Sequence, residues 1–385
     1  MSKAEPASSF PSLGQTSPLI SPLYTASVYT IPDLDTLDLI MDGEKDGFFY
    51  ARDGHPNSVS LAKQIAAIES AEWCQICSSG MAAISTAVLS VAEQGDRIIA
   101  SHRLYGKTTQ LLADELSRYG IETTFVDVSD LEAVEAAFED KAKLLLAETL
   151  SNPHLRMPNL PELARLARRN KCLLFIDNTF ATPVLCRPIE LGAHLVTESL
   201  TKLMGGHSDI TLGALCGVGD LGMQIRAVVS TWGFAANPFD CWQCERGLLT
   251  LPVRAERAAQ TAQELAQWLV EQEGIDKVVY PGLENHPDHD LVSELMHEKF
   301  GNMLCFELKG GRPAVNRFLR SVPEIPFSPS LGHVTTTLSH PWSTSHRQIS
   351  PAEKKRQGIT EGLIRLSVGV ETLESLQKAF KKGLG

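Results

Sequence analysis

Between residues 96 and 216 the chain repeats one unit: a short apolar run, a polar residue or turn, then a helical stretch. The apolar runs fall at 97–100, 122–126, 143–146, 172–176, 194–196 and 211–216, and helical spacing fills most gaps, notably 108–118, 131–138 and 161–170. Alternation of this kind predicts an α/β fold, a mostly parallel sheet covered by helices. In such sheets ligands bind at the carboxyl ends of the strands. The polar residues gather at those ends: Tyr105 after the first run, Glu148, Ser151 and Asn152 after the third, Asp177 and Asn178 after the fourth, Lys202 after the fifth. One acidic residue after one strand reads most simply as a helix cap. The same explanation for every strand end at once is far weaker.

Composition narrows the class. At 385 residues and 43% hydrophobic content the chain can bury a large core in two or three domains. A formal net charge of −11 argues against a nucleic-acid surface. No apolar run is long enough to span a bilayer, and residues 1–15 are polar, without the basic and apolar segments of a secretory signal. The expectation is a cytoplasmic protein with no membrane partner. Eight cysteines sit mostly in apolar segments, as reduced core thiols do; Cys74/Cys77 and Cys241/Cys244 have C-x-x-C spacing, but the pairs are distant and no metal site is expected. His286 and His289 read as loop-surface residues, and Lys354-Lys355-Arg356 as a solvated cluster.

Three stretches carry chemistry. In Ser199-Leu200-Thr201-Lys202-Leu203-Met204-Gly205-Gly206-His207-Ser208-Asp209, a lysine stands past a strand end among hydroxyls and glycines. An amine there can form a Schiff base with a carbonyl cofactor, with Ser199 and Thr201 donating to an adjacent anion; a surface lysine before a turn is the alternative. Ser79-Gly80-Met81 opens an apolar periodic run, which reads as a helix N-terminus, serving as a cap or as an anion cradle. Gly217-Val218-Gly219-Asp220-Leu221-Gly222 fits a dinucleotide fingerprint, which would make the protein an NAD-binding oxidoreductase, but no second strand with an acidic residue about twenty positions on follows it.

The lysine stretch resembles the cofactor-attachment motif of the Cys/Met-metabolism family of pyridoxal-phosphate enzymes, which includes cystathionine γ-synthases, cystathionine γ-lyases, methionine γ-lyases and O-acylhomoserine sulfhydrylases. The core and the Gly-Gly-His-Ser-Asp tail are intact; His194, Leu200 and Leu203 depart from the usual pattern. Further motifs follow in family order. Tyr50-Ala51-Arg52 matches a Tyr-x-Arg that reaches a partner subunit's cofactor phosphate, although His55-Pro56-Asn57 replaces the usual turn. The resemblance puts the phosphate on Gly80 and Met81, stacks Tyr105 on the ring, sets Asn152 near the phenolic oxygen, and gives Asp177 the task of keeping the pyridine nitrogen protonated. Arg365, in Ile364-Arg365-Leu366-Ser367-Val368-Gly369, matches the arginine that clamps the substrate carboxylate, and Ser330-Leu331-Gly332 the substrate loop.

The resemblance therefore implies a fold-type I enzyme using pyridoxal 5'-phosphate, with an N-terminal arm (1–60) on a neighbouring subunit, a cofactor domain (61–250) and a smaller C-terminal α/β substrate domain (251–385). It implies an amino acid substrate and a homotetramer of active dimers with shared sites. The reaction implied is γ-elimination or γ-replacement on a cystathionine-, methionine- or homoserine-ester-like substrate, with a β-eliminating lyase or an O-acylhomoserine sulfhydrylase as alternatives. Subclass stays open: Pro329 and Thr335 stand where synthases and γ-lyases usually carry Glu, and Lys107 where methionine γ-lyases usually carry Cys.

Overall fold

The computed structural model describes residues 15–385. Residues 1–14, which include Pro11 of the expected arm, lie outside the described residues. The large sheet holds seven strands: β1 (Trp73–Cys77), β2 (Arg97–Ser101), β3 (Glu122–Val126), β4 (Leu144–Glu148), β5 (Leu173–Asp177), β6 (Leu195–Glu198) and β7 (Gly213–Gly217), in the order β1-β7-β6-β5-β4-β2-β3. Strands β2 to β6 are parallel, whereas β7 runs antiparallel to both β6 and β1. Side chains alternate along each strand. Ile99, Leu145, Ala147, Leu174, Ile176 and Val196 join one buried cluster; Ile98, Ala100, Leu144, Leu146, Phe175 and Leu195 join another. Both faces are covered, which is why the strands read as continuous apolar runs.

The second sheet comprises β8 (Ile275–Val279), β9 (Met303–Leu308), β10 (Thr337–Ser339) and β11 (Leu363–Ser367), in the order β10-β11-β9-β8 and antiparallel throughout. Helices cover one face: Leu265 and Leu269 of Leu251–Val270, Val315 and Phe318 of Gly311–Ser321, and Phe380 of Leu373–Leu384 pack with Phe306, Ile364 and Leu366. The other face, bearing Cys305 and Arg365 as register partners, is free to meet the large sheet.

Four sequence expectations need correction. The arm contains a helix, Leu34–Met41, capped by Asp33 but with no buried residue, so periodicity could not reveal it. Strand β1 went unread because Trp73–Cys77 carries little alternation. His286 is buried: its Nε2 lies 3.2 Å from the His154 carbonyl and its Nδ1 accepts from the Asp288 N–H. Lys354 is buried too, its ammonium 4.7 Å from the Trp342 ring centroid and donating to the Trp342 carbonyl. Among the described residues no group of three or more His, Cys, Asp or Glu is placed to hold a metal, and no helix is long and apolar enough to cross a membrane.

Topology also removes the dinucleotide alternative. Because β7 is antiparallel, Gly217 pairs with Leu195 at the start of β6. The Gly217–Gly222 turn thus opens at the end of the sheet opposite the carboxyl ends of β4 to β6, where no ligand crevice is expected.

Candidate active site

A cavity between the two sheets is lined by Ser79, Gly80, Met81, Tyr105, Glu148, Asn152, Asp177, Thr179, Phe180, Ser199, Thr201, Lys202, Pro329, Ser330, Ser345 and Arg365, among others. Of the residues expected to bind cofactor or substrate or to act in catalysis, Gly80, Met81, Tyr105, Asn152, Asp177, Ser199, Thr201, Lys202, Ser330 and Arg365 meet here and two do not. The exceptions are Tyr50 and Arg52, which are exposed and stack on each other at 5.1 Å, away from this protomer's cavity.

Each side chain arrives by an identifiable route. Ser79 caps the helix Gly80–Val91 by accepting from the Ala82 N–H, which leaves the Gly80 and Met81 N–H groups without helical acceptors. Gly80 is needed for close approach: a Cβ there would lie 2.9 Å from the Ser199 Cβ. Asp177 ends β5 and is steadied by the Thr179 N–H (3.0 Å), while the Thr179 hydroxyl accepts from the Ser199 N–H (2.9 Å). Glu148, register partner of Asp177, accepts from the Tyr105 N–H at 2.5 Å and so fixes the start of the Tyr105 turn. Thr201 departs from expectation: its hydroxyl donates to the Leu212 carbonyl (3.2 Å) and accepts from the Leu212 N–H, so its proton serves the backbone.

Lys202 Nζ donates to Ser330 Oγ at 2.9 Å. Burial, assisted by the positive charge of Arg365, lowers its pKa, so the neutral amine is favoured relative to a solvated lysine. Arg365 is only 4% exposed; it donates to Asn152 Oδ1 (2.8 Å) and the Ser330 carbonyl (3.3 Å), and its guanidinium lies 5.8 Å from the Phe180 ring centroid. Ser330 thus links the carboxylate-binding candidate to the amine. Gly332 holds this loop down. Its φ is +78°, and a Cβ there would lie 2.4 Å from the Leu203 N. A Gly332→Ala substitution is expected to cost about 2–4 kcal/mol in stability, from left-handed backbone and overpacking together, as read by chemical denaturation.

Sequence reading did not find Phe180, Thr179 or Arg254. Arg254, buried on the helix Leu251–Val270, donates to the Leu203 (2.8 Å), Met204 (3.1 Å) and Gly247 (2.9 Å) carbonyls and so clamps the segment after Lys202. Its position in an amphipathic tract carried no signal of that task. Lys107 bonds Gln110 on an exposed helix surface and does not line the cavity.

Below the cavity floor, Glu198 ends β6 and Glu69 ends the helix Pro56–Glu69; both are fully buried. Burial raises Glu69 from 4.5 to about 7, and burial plus the neighbouring Glu69 charge raises Glu198 well above the carboxylate range. Protonated carboxyls are therefore favoured in the fold, so their stabilisation is complete below the unfolded value and is lost as pH rises through about 7. The Glu69 rise alone corresponds to a loss of order 3 kcal/mol over that interval. Glu69→Gln should flatten the fall in Tm between pH 5 and 8; a variant that loses Tm as steeply as the parent would refute the assignment.

The fit to pyridoxal phosphate is specific. Free helix N–H groups suit a phosphate, a depressed amine suits a carbonyl, and Asp177 beside Glu148 makes a pair of buried carboxyls that burial drives toward protonation. A cationic ring nitrogen is the group that would let Asp177 ionise there. Fold and site together define a fold-type I pyridoxal-phosphate enzyme. Residues 8–385 match the Cys/Met metabolism PLP-dependent enzyme family, and the chain belongs to it. It is 36% identical to the L-methionine gamma-lyase of Fusobacterium nucleatum subsp. polymorphum, over 95% of this chain and 93% of the relative. It is 40% identical to the cystathionine beta-lyase of Bacillus subtilis (strain 168), over 89% and 87%. The crystal structure of cystathionine gamma synthase from Xanthomonas oryzae pv. oryzae in complex with cystathionine superposes with a TM-score of 0.90 at 31% identity, over 95% and 92%. The protein is accordingly a pyridoxal-phosphate-dependent enzyme of sulfur amino acid metabolism.

Proposed function

We propose that the enzyme eliminates or replaces the Cγ substituent of a cystathionine-, methionine- or homoserine-ester-like amino acid. The observation that carries this reading is the joint anchoring of Lys202 and Arg365 on Ser330, which sets a proton-transferring amine beside a buried carboxylate clamp. When bound, pyridoxal phosphate supplies an electron-accepting ring that stabilises negative charge at the substrate Cα.

The chain's residues do the rest. Gly80, Met81 and Ser199 would hold the phosphate, joined by Tyr50 and Arg52 from a neighbouring subunit. Asp177 would keep the ring nitrogen protonated, and Asn152 would serve the ring's phenolic oxygen. Arg365 takes the substrate carboxylate in a planar two-point grip. Lys202 attaches the cofactor, then removes the Cα proton and moves protons at Cβ. Tyr105, held by Glu148, or Lys202 protonates the group leaving Cγ.

Several further readings belong here. The chain divides into the arm, the cofactor domain and the substrate domain at the boundaries given above. Exposed Leu19, Ile20, Leu23, Tyr24 and Val28 on the arm support a homotetramer of active dimers. Eight free cysteines support a reducing, cytoplasmic location.

The loaded enzyme should release 2-oxobutanoate from methionine, cystathionine or a homoserine ester, and with added cysteine should convert the ester to a thioether if it is a synthase. The identity to a β-lyase supports cleavage at Cβ as a second reading. Pyruvate as the only oxo acid from cystathionine, released with homocysteine and ammonia, would establish that reading instead, and no oxo acid or thioether from any of these would remove both.

A further inference from the structure

A second cavity, of about 250 Å³, lies where the two sheets meet, outside the cofactor cavity. Its polar walls include Arg103, His154, Arg156, Lys277, His286 and Gln357. The two arginines are held in fixed orientation. Asp127 grips Arg103 through NH1 and NH2, both at 2.9 Å, and Asp288 grips Arg156 through Nε (2.5 Å) and NH2 (3.0 Å). Neither grip uses every donor: Arg103 Nε and Arg156 NH1 have no acceptor among the described residues.

Lys277, on β8, is exposed and makes no ion pair among the described residues. Its register partner Glu307 is occupied by the Thr360 hydroxyl at 2.6 Å. The histidines are neutral donors or acceptors here: burial, with the charges of Lys277 and Arg103, brings His154 down to about 4, and burial lowers His286. Arg103, Arg156 and Lys277 thus stand with Asp127, Asp288 and Glu307, and among the described residues the donors left uncommitted are Arg103 Nε, Arg156 NH1 and the Lys277 ammonium.

We propose that this cavity is a binding site for a phosphate-type oxyanion, separate from the cofactor's own phosphate cradle. The chemistry is that of guanidinium and ammonium donors converging on a tetrahedral anion. Location gives the site a consequence. Arg103 lies two residues before Tyr105, and His154 two residues after Asn152, while Lys277 belongs to the second sheet. An anion held by all three ties the second sheet to the segments that carry two cavity residues.

The test is calorimetric titration of the pyridoxal-phosphate-loaded enzyme with inorganic phosphate, against chloride at matched ionic strength. Phosphate should bind saturably at one site per chain. Lys277→Met should weaken it about tenfold or more, the loss expected for one charged hydrogen bond, while Lys277→Arg should keep it. Because Lys277 is exposed, both variants should fold and retain the parent's turnover in phosphate-free buffer. Absence of saturable phosphate binding, or equal affinity in Lys277→Met, would overturn the proposal. The readout is binding, so this result is independent of which sulfur amino acid the enzyme processes.

Discussion

Replacing Lys202 with alanine is expected to lower kcat at least about 10³-fold, the span that a lost proton-transfer group produces. Among the described residues Lys202 is the one lysine on the cavity wall, its Nζ pointed by Ser330 at 2.9 Å, and no other described amine is placed to substitute. The same variant should lose covalent labelling by borohydride in the presence of cofactor. Mass mapping of the parent should put the pyridoxyl adduct on Lys202; an adduct elsewhere, or a variant keeping more than a few per cent of turnover, removes the centre of the proposed mechanism. Loss of turnover with unchanged phosphate binding at the second cavity would keep the two proposals apart.

The second large effect is expected at Arg365. Arg365→Lys should raise KM about 100-fold with a smaller change in kcat. The guanidinium is almost fully buried and already serves Asn152 and the Ser330 carbonyl, so the substrate carboxylate depends on its remaining planar donors. An ammonium cannot satisfy these acceptors and a carboxylate together, and a truncated buried charge partner costs about 3 kcal/mol, or two orders of magnitude. Arg365→Met gives an independent readout. Part of the depression of Lys202 comes from the Arg365 charge, so removing it lets the Lys202 pKa rise. The acidic limb of the pH dependence of cofactor attachment to the cofactor-free protein, which reports the neutral Lys202 amine, should then move to higher pH. Burial remains the larger cause, so the shift is partial; a limb that stays in place would separate the two groups electrostatically.

Much of this site was legible before any coordinates. The alternation of apolar runs and helices placed Tyr105, Asn152, Asp177 and Lys202 at strand ends, and parallel topology brings such ends together. Arg365 was legible through the motif that carries the resemblance; the structure adds that Ile364 and Leu366 face the helices and leave Arg365 the opposite face. Thr201 shows the limit: a hydroxyl beside an anion site looks like a donor to it, yet the nearer Leu212 carbonyl takes the proton. Tyr50 and Arg52 show another: both are exposed and off this chain's cavity, and the contact proposed for them, with a neighbouring subunit, is not set by one chain's fold.

Local order came from local chemistry: which segments alternate, which residue caps a helix, which side chain stands past a strand. These follow from spacing and side-chain type, and they were sufficient for the fold class and for placing Tyr105, Asn152, Asp177 and Lys202 at the strand ends that open on the main cavity. The reversed direction of β7, the Glu148–Asp177 pairing, the burial of His286 and Lys354, and the basic cavity around Lys277 were decided only when distant segments met. Each depends on how many charges share a buried volume and which carbonyls and N–H groups remain unclaimed there, and sequence spacing carries neither quantity.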